Sequence, residues 1–395
     1  MKFSMIFEAQ MAYPTPEHER EVIHNCLEQA VYGEEMGFDT IWAVEHHSLL
    51  RYAHMSAPEI FLTAVAARTK RVRIGHGVVC MPFNYNFPVR VCERAAMLDI
   101  ISNGRVNLGA GRGGTLQEQS ACNVDPDRTY EEVEEALRII GQAWQKETFE
   151  WRGKLLTIKA PEGNPPLTII PRPVQWPHPP LFLACTKPET VVKAAEYGVG
   201  ALVMGFAGPD SVAEQRRMYD EAAARSGTTH NVSTVQNHYM AALCPTIVGE
   251  DREQARQIGA RGQRFFGEAI KQWSAGGAPP SEDTEHDDNF AFMERKKQEM
   301  LDRYDRGEVP AQFHNQRSLF AAAFNVDHAY GDYRDAIAYV ERLEAAGADE
   351  IMCFIQLGTV PHPVCMETIR IWGEKIIPHF RAKAGKAERP HAVVA

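Results

Sequence analysis

The segment Gly37–His47, GFDTIWAVEHH, decides how the chain reads. Gly37 suits the residue after a helix end, where the backbone turns left-handed. Thr40, Ile41, Trp42, Ala43 and Val44 form an apolar run of strand formers. A run bounded by a glycine and a charged cluster is the pattern of a strand buried on both faces. Glu45, His46 and His47 follow at its C-terminal end. Parallel α/β folds build their sites at that end. Two imidazoles and a carboxylate delivered there are candidate site residues, weighed against an ordinary polar loop.

Outward from this segment the chain alternates. Strands are predicted at Lys2–Phe7, Thr40–Val44, Val72–Gly77, Arg105–Ala110, Leu181–Cys185, Ala201–Phe206, Val235–Cys244 and Glu350–Ile355. Helices are predicted at Glu17–Met36, from Pro58, and at Pro88–Ile101, Arg128–Trp144, Pro188–Tyr197, Pro209–Ser226, Asp251–Trp273, Arg334–Ala346 and Val364–Phe380. Their apolar residues recur at helical spacing, and several open with proline in the first turn. Eight strands alternating with helices predict an α/β fold, a (β/α)8 TIM barrel of roughly 250 core residues. We expect one domain over 1–380, with insertions at 149–180 and 274–318 and a disordered tail at 381–395. The first insertion opens with WRGKLLTIKA, an extended or hairpin stretch, and continues through seven prolines from Pro165 to Pro180 that exclude a helix. The second opens with the Gly/Pro-rich, acidic SAGGAPPSEDTEHDDNF.

Bulk properties exclude several classes. The net charge of -10 argues against a nucleic-acid-binding protein. No apolar run approaches the roughly 18 residues of a membrane span. MKFSMIFEAQ is too short for a signal-peptide core, so a cytoplasmic location is expected. The eight cysteines are scattered without a C-x-x-C pair, as reduced thiols would be.

Three further constellations carry chemistry. Gly109, Gly111 and Gly114 match G-x-G-x-x-G after a strand. The dinucleotide reading fails because the next helix is not predicted before Arg128, whereas the motif should open one at once. A phosphate contact survives that failure. Glycines permit close backbone approach and Arg112 offers a bidentate fork, against a tight turn with a surface arginine. Thr186 and Thr190 flank a helix start at Pro188, either as an anion site or with Thr186 as a plain N-cap. His76, beside Gly77, lies toward the catalytic face of the third strand. A metal at Glu45, His46 and His47 is disfavoured, because neighbours on an extended chain point opposite ways and no third spaced ligand stands out. No G-x-S-x-G elbow is present.

These residues carry a resemblance. MKFSMIF, GFDTIWAVEHH, IGHGVVCMP, PVRVCERAAMLDIISNGRVNLGAGRG, PLFLACTKPETVVKAAEYGVGA and GADEIMCFIQLG resemble, in order and spacing, the bacterial luciferase-like flavin-dependent monooxygenases. The likeness covers most of residues 1–205 and again 332–380. It implies a barrel that binds reduced FMN (FMNH2) supplied by a separate flavin reductase. O2 then forms a hydroperoxide at flavin C4a, which oxygenates a small organic substrate. It implies His46 as the catalytic histidine with His47 as its neighbour. Arg112, Thr186, Lys187 and Thr190 are implied around the FMN phosphate, and Gly77–Val78 as a non-proline cis peptide against the ring. Glu45, His76, Asn107, Gly111 and Gly113 complete the implied cofactor-binding set. The resemblance also implies a mobile lid in 274–318 and a homodimer through the early helices. In the latter, Val89, Cys92, Ala96 and Ile100 give helix Pro88–Ile101 an apolar stripe for core or interface.

Two departures qualify it. Luciferase has a cysteine where this chain has Gly111, so its thiol chemistry does not transfer. Thr186 replaces a carboxylate and Lys187 a small hydroxyl residue, which argues against light emission. The alternative on the same barrel is hydride transfer with the deazaflavin F420 and no oxygen. A non-catalytic relative is disfavoured by the retention of both histidines.

Overall fold

The computed structural model describes residues 1–275, 278–281, 283–309 and 322–387. Eight parallel strands close on themselves: β1 (Lys2–Phe7), β2 (Thr40–Ala43), β3 (Arg73–Cys80), β4 (Val106–Gly111), β7 (Leu181–Cys185), β8 (Gly200–Val203), β9 (Met240–Val248) and β11 (Glu350–Phe354). The ring closes where β8 pairs with β9 and β11 with β1, which makes a (β/α)8 barrel. β5 (Trp151–Arg152) and β6 (Thr157–Ile158) form a small antiparallel hairpin in the first insertion. β10 (Ala329–Gly331) adds outside the ring, on Thr246–Val248 of β9.

Helices α1 (Pro16–Glu35), α2 (Pro58–Arg68), α3 (Pro88–Ile101), α4 (Leu116–Ala121), α5 (Thr129–Gln142), α6 (Pro188–Tyr197), α7 (Pro209–Ser226) and α8 (Arg252–Ala275) follow their strands. α9 (Asn289–Asp305) lies in the second insertion, and its N-cap Asp288 accepts from Ala291 N–H. Then come α10 (Tyr333–Ala345), α11 (His362–Ile371) and α12 (Ile377–Ala387). No helix among the described residues is long and apolar enough to cross a membrane. All eight cysteines are unpaired.

Trp42 anchors the barrel interior. It is fully buried, its Nε1 donates to Glu350 Oε1 at 2.7 Å, and its ring meets Phe182 edge-on at 5.2 Å. Glu350 also accepts from Tyr239 Oη at 2.8 Å, and burial holds its pKa above the ordinary carboxylate value. A buried tryptophan removes about 200 Å² from water, a gross gain of ~5 kcal/mol at roughly 25 cal/mol per Å². The ring takes its room from β3. A Cβ on Gly75 would meet Trp42 Cε3 at 2.2 Å.

Several elements differ from expectation. The seventh strand begins at Met240 rather than Val235. Its approach is spent on cross-links instead: Asn237 N–H donates to Gly198 O and Asn237 Nδ2 to Leu181 O. The sixth strand stops at Val203, and Gly205–Ala207 forms a 3-10 turn. Gly205 is required there, since a Cβ would lie 1.8 Å from Leu243 O. α4 fills a stretch expected to be loop. The last helix continues through Ala387, so residues 381–387 are not the disordered tail expected; Arg381 Nη2 donates to Gly37 O at 2.6 Å and fastens it. Residues 388–395, and 310–318 of the expected lid, lie outside the described residues. The stripe on α3 divides: Cys92 and Ala96 enter the core, whereas Ile100 is exposed.

Gly75→Ala should cost about 1–3 kcal/mol, the usual penalty of overpacking a filled interior. An unshifted denaturation midpoint would show that the indole does not lie against β3.

Candidate active site

β2 ends at Ala43 and delivers Glu45, His46 and His47 to the C-terminal mouth. Glu45 is spent on structure: Oε2 accepts from Cys80 N–H at 2.8 Å, and Oε1 from Asn86 Nδ2 at 2.8 Å and His47 Nε2 at 3.0 Å. His47 also stacks on Tyr85, centroids 5.4 Å apart. His46 turns to other partners. Its Nδ1 meets Glu118 Oε1 at 2.8 Å and its ring meets Tyr52 edge-on at 5.2 Å. No described residue hydrogen bonds its Nε2, which leaves that nitrogen free to take or give a proton.

Glu118 is the residue the sequence reading missed. It lies on α4, fully buried, and Thr115 caps that helix through a reciprocal capping box. The Thr115-x-x-Glu118 spacing was the available signal. Burial alone would raise its pKa. Hydrogen bonding from His46, the His46 charge, and bonds from Thr115 and the His47 N–H hold it below the ordinary value instead. Burial would likewise lower the pKa of His46, but the bond to Glu118 and the charges of Glu118, Glu8 and Glu45 raise it. His46 therefore holds a proton more firmly than a free imidazole does. His76 is the contrast. Buried, with Nδ1 unpartnered, it is pushed down to about 4 by desolvation and stays neutral.

β3 and β4 build the floor beside this cluster. The Gly77–Val78 peptide is cis, and the β3–β4 register shifts between His76 and Val79. The glycines of the G-x-G motif serve that bend. A Cβ on Gly109 would meet His76 O at 2.4 Å, and one on Gly111 would meet Val78 Cγ2 at 2.3 Å. Gly113, at φ +80°, passes under the Tyr85 hydroxyl. Gly111 and Gly113 thus make room for protein atoms.

Arg112 follows directly, its guanidinium 4.9 Å over the Tyr130 ring and without a hydrogen-bond or ion-pair partner among the described residues. β4 and β7 run side by side, so Arg112 leaves the barrel next to Thr186 and Lys187, both exposed. Thr186 does not cap α6. Lys187 occupies the N-cap position, and Thr190 Oγ1 closes the turn by donating to Lys187 O at 2.7 Å and accepting from Lys187 N–H at 3.3 Å. The one hydroxyl hydrogen of Thr190 is therefore not available to a ligand. Asn107 is not brought to the group either. It sits near the N-terminal end of β4, about 13 Å along the strand from Gly111 at ~3.3 Å per residue, and accepts from Arg73 Nε at 2.8 Å.

Aromatic rings wall the far side. Phe266 of α8 meets Tyr52 at 5.6 Å, Phe206 at 4.8 Å and Phe354 at 5.2 Å. Trp273 Nε1 donates to Leu50 O at 3.3 Å, which ties α8 to the loop after His47. A cavity of about 590 Å³ lies elsewhere, outside the ring between α8, α9 and α10, and contains none of these groups. Among the described residues no three His, Cys, Asp or Glu are grouped to hold a metal.

The barrel has counterparts among known proteins. The family model for luciferase-like monooxygenases matches residues 1–317, and the chain belongs to that family. The oxygenase component of a flavin-dependent trigonelline monooxygenase from Acinetobacter baylyi is 25% identical over 275 residues, 69% of this chain and 72% of that protein. The oxygenating constituent of 3,6-diketocamphane monooxygenase from Pseudomonas putida, solved with FMN, shares the fold at TM-score 0.68 and 17% identity, over 96% of this chain and 98% of that one. An F420-dependent secondary alcohol dehydrogenase shares it at TM-score 0.67 and 17% identity, over 95% and 98%.

The histidine-carboxylate pair fixes a pH dependence. His46, raised above 6.5, contributes stability that is full below that value and lost as pH rises through its higher folded pKa. Glu118, lowered below 4.5, contributes stability that is present above 4.5 and lost as pH falls through its lower folded pKa. Glu118→Gln keeps the volume and removes the charge. The NMR titration midpoint of His46 should then move down, and stability near pH 6 should fall. A midpoint that stays put would separate the two residues.

Proposed function

We propose that this protein is the oxygenase of a two-component system, using reduced FMN from a separate flavin reductase and O2 to oxygenate a small organic substrate. The single observation that carries the reading is Arg112, a cation with no hydrogen-bond or ion-pair partner among the described residues, beside the exposed start of α6 and three residues before Thr115, whose turn brings Glu118 to His46. A phosphate fits that donor set: a planar guanidinium binds it bidentately, and Thr186 and Lys187 can add a hydroxyl and an ammonium. These three residues would hold the phosphate, and the Gly77–Val78 peptide would lie against the ring. Thr190 is left out, since its hydroxyl is committed.

Bound reduced flavin would supply the redox chemistry, activating O2 for transfer of one oxygen atom. The protein's share is binding, orientation and protons. His46 Nε2 takes or gives a proton at the mouth while Glu118 steadies the cation on the opposite nitrogen. Tyr52 packs edge-on to the His46 ring, with Phe266 behind it and Phe206 and Phe354 beyond, so aromatic rings line that side of the histidine. His47 and Glu45 hold the loop in place. The F420-dependent structural relative favours one competitor, hydride transfer without oxygen, and oxygen uptake with reduced flavin separates the two.

We also propose a homodimer through α2 and α3. Ile60, Met97, Ile100 and Ile101 are 70%, 50%, 43% and 47% exposed, an apolar patch on neighbouring helices. Light scattering at micromolar concentration should give twice the chain mass of 44.3 kDa; a monomer there would refute the assignment.

Arg112→Ala should weaken FMN binding roughly tenfold to a hundredfold, the worth of a charge-assisted contact of ~1.5–3 kcal/mol. His46→Ala should leave that binding nearly intact. It should lower product formation by about 100- to 10,000-fold while reduced flavin is still consumed, its two electrons and two protons passing to O2 to give hydrogen peroxide. Wild-type coupling and rate in His46→Ala would remove the histidine from the reaction.

A further inference from the structure

Glu8 is an acid at the barrel mouth with one carboxyl oxygen unused. It is the first residue past β1, it is buried, and its Oε2 has no hydrogen-bond partner. Its surroundings are rigid. Gln10 N–H donates to Gln356 Oε1 at 2.8 Å and Gln356 Nε2 returns to Gln10 O at 2.6 Å, which clasps the end of β1 to the end of β11. Gln10 Nε2 donates to Tyr52 O at 3.1 Å. The Tyr52 hydroxyl in turn bonds the Glu8 carboxyl, and its ring is the one packed on His46. An ionised carboxylate with a bare buried oxygen is costly, whereas a neutral one has an O–H to offer.

We propose that Glu8 is a second acid of this site, a neutral carboxyl whose Oε2–H donates a hydrogen bond to a carbonyl oxygen of the ligand lying beside His46. The inference rests on the flavin-dependent reading above. The carbonyl belongs either to the isoalloxazine ring or to an uncharged substrate. No bond is made or broken: the carboxyl orients the ligand, and His46 remains the group that moves a proton. The division follows from what surrounds each. His46 has the fixed anion of Glu118 on Nδ1 and stays chargeable. Glu8 has only a hydroxyl, on Tyr52, and one oxygen without a hydrogen-bond partner. Burial pushes Glu8 up to about 7, the His46 charge and the Tyr52 bond lower it in part, and the Glu118 charge adds to the rise. Those three residues, on the β2–α2 loop and on α4, are the charged and titratable groups that act on it.

The sign follows. Glu8 contributes stability that is full below its ordinary 4.5 and lost as pH rises through about 7. A carboxylic acid kept neutral so that it can donate is a known device of buried sites.

The first test needs no flavin. Infrared difference spectra of wild type against Glu8→Gln should show a protonated-carboxyl band at pH 6 that fades through about 7, and the wild type should lose thermal stability relative to Glu8→Gln over that rise. A missing band, or pH profiles that superimpose, overturns the proposal whatever the protein's cofactor. The second uses oxidised FMN and then cyclohexanone, a plain ketone, as probes. With FMN, wild-type affinity should fall about threefold to tenfold as pH passes through the carboxyl's titration, the worth of one neutral hydrogen bond. Glu8→Gln, which can donate at any pH, should stay flat and tight; Glu8→Leu should be weak throughout. If FMN is indifferent but cyclohexanone saturation follows this pattern, the carbonyl is the substrate's. Indifference of both probes overturns the proposal. Failure of wild type to bind FMN at all fails the flavin reading instead, and leaves the infrared result to judge Glu8.

Discussion

The site depends on one buried carboxylate. Glu118 receives five donors: His46 Nδ1, the His47 N–H, the Gly114 and Thr115 N–H groups, and Thr115 Oγ1. Taking a carboxylate out of water costs several kcal/mol, and this many donors, one of them on a histidine whose pKa is raised, offsets it. The donors come from two loops, one after β2 and one after β4. Glu118 therefore joins two neighbouring β/α units at the point where the barrel opens. Remove the carboxylate and the His46 ring loses its orientation, the turn at Gly114–Thr115 loses its acceptor, and α4 loses the return half of its capping box.

The arrangement separates tasks between adjacent side chains. Glu45 and His47 face inward to Cys80, Asn86 and Tyr85 and hold the loop. His46 keeps one nitrogen open. Each histidine has a carboxylate on one ring nitrogen; His47 is further fixed by its stack on Tyr85 and by a Glu45 carboxylate that is itself tied to Cys80 and Asn86, whereas the His46 ring is oriented by Glu118 and keeps Nε2 open at the mouth. The same contrast explains His76. It lies on the next strand, level with Ala43 of β2, with no carboxylate bonded to it, and burial keeps it neutral.

The barrel was legible because parallel strands covered on both faces appear as unbroken apolar runs, and because proline and glycine mark where helices start and stop. The Glu45–His47 cluster was legible because it closes such a run. What escaped depends on partners distant in sequence. Val235 looks like strand, but Asn237 spends this stretch tying Gly198 to Leu181. The Gly109–Gly114 motif suggested a ligand cradle, whereas its glycines chiefly clear Val78 and the carbonyl of His76. Asn107 stands in a motif-rich segment, yet alternation and strand length carry it to the opposite end of the barrel. Glu8 gave no signal at all. A lone glutamate after a first strand is unremarkable until Tyr52 and His46 are folded against it.

Residues 111–114 show why one loop can organise so much. Gly111 presses on Val78, Arg112 is the unpartnered cation, Gly113 passes beneath Tyr85, and a Cβ on Gly114 would lie 3.8 Å from His46 Cε1. Four consecutive residues thus run from the cation to the acid-base cluster. A cation placed directly among Glu8, Glu45 and Glu118 would pair with one of them, depress its pKa and be lost to any ligand. Set a few residues away and turned over Tyr130, Arg112 keeps its hydrogen-bonding edges for a ligand, and the carboxylates of Glu118 and Glu45 hold the His46 pKa above its ordinary value. The short, glycine-rich connection after β4 imposes that spacing, and it does so because bulkier residues would collide with the β3 bend that forms the floor.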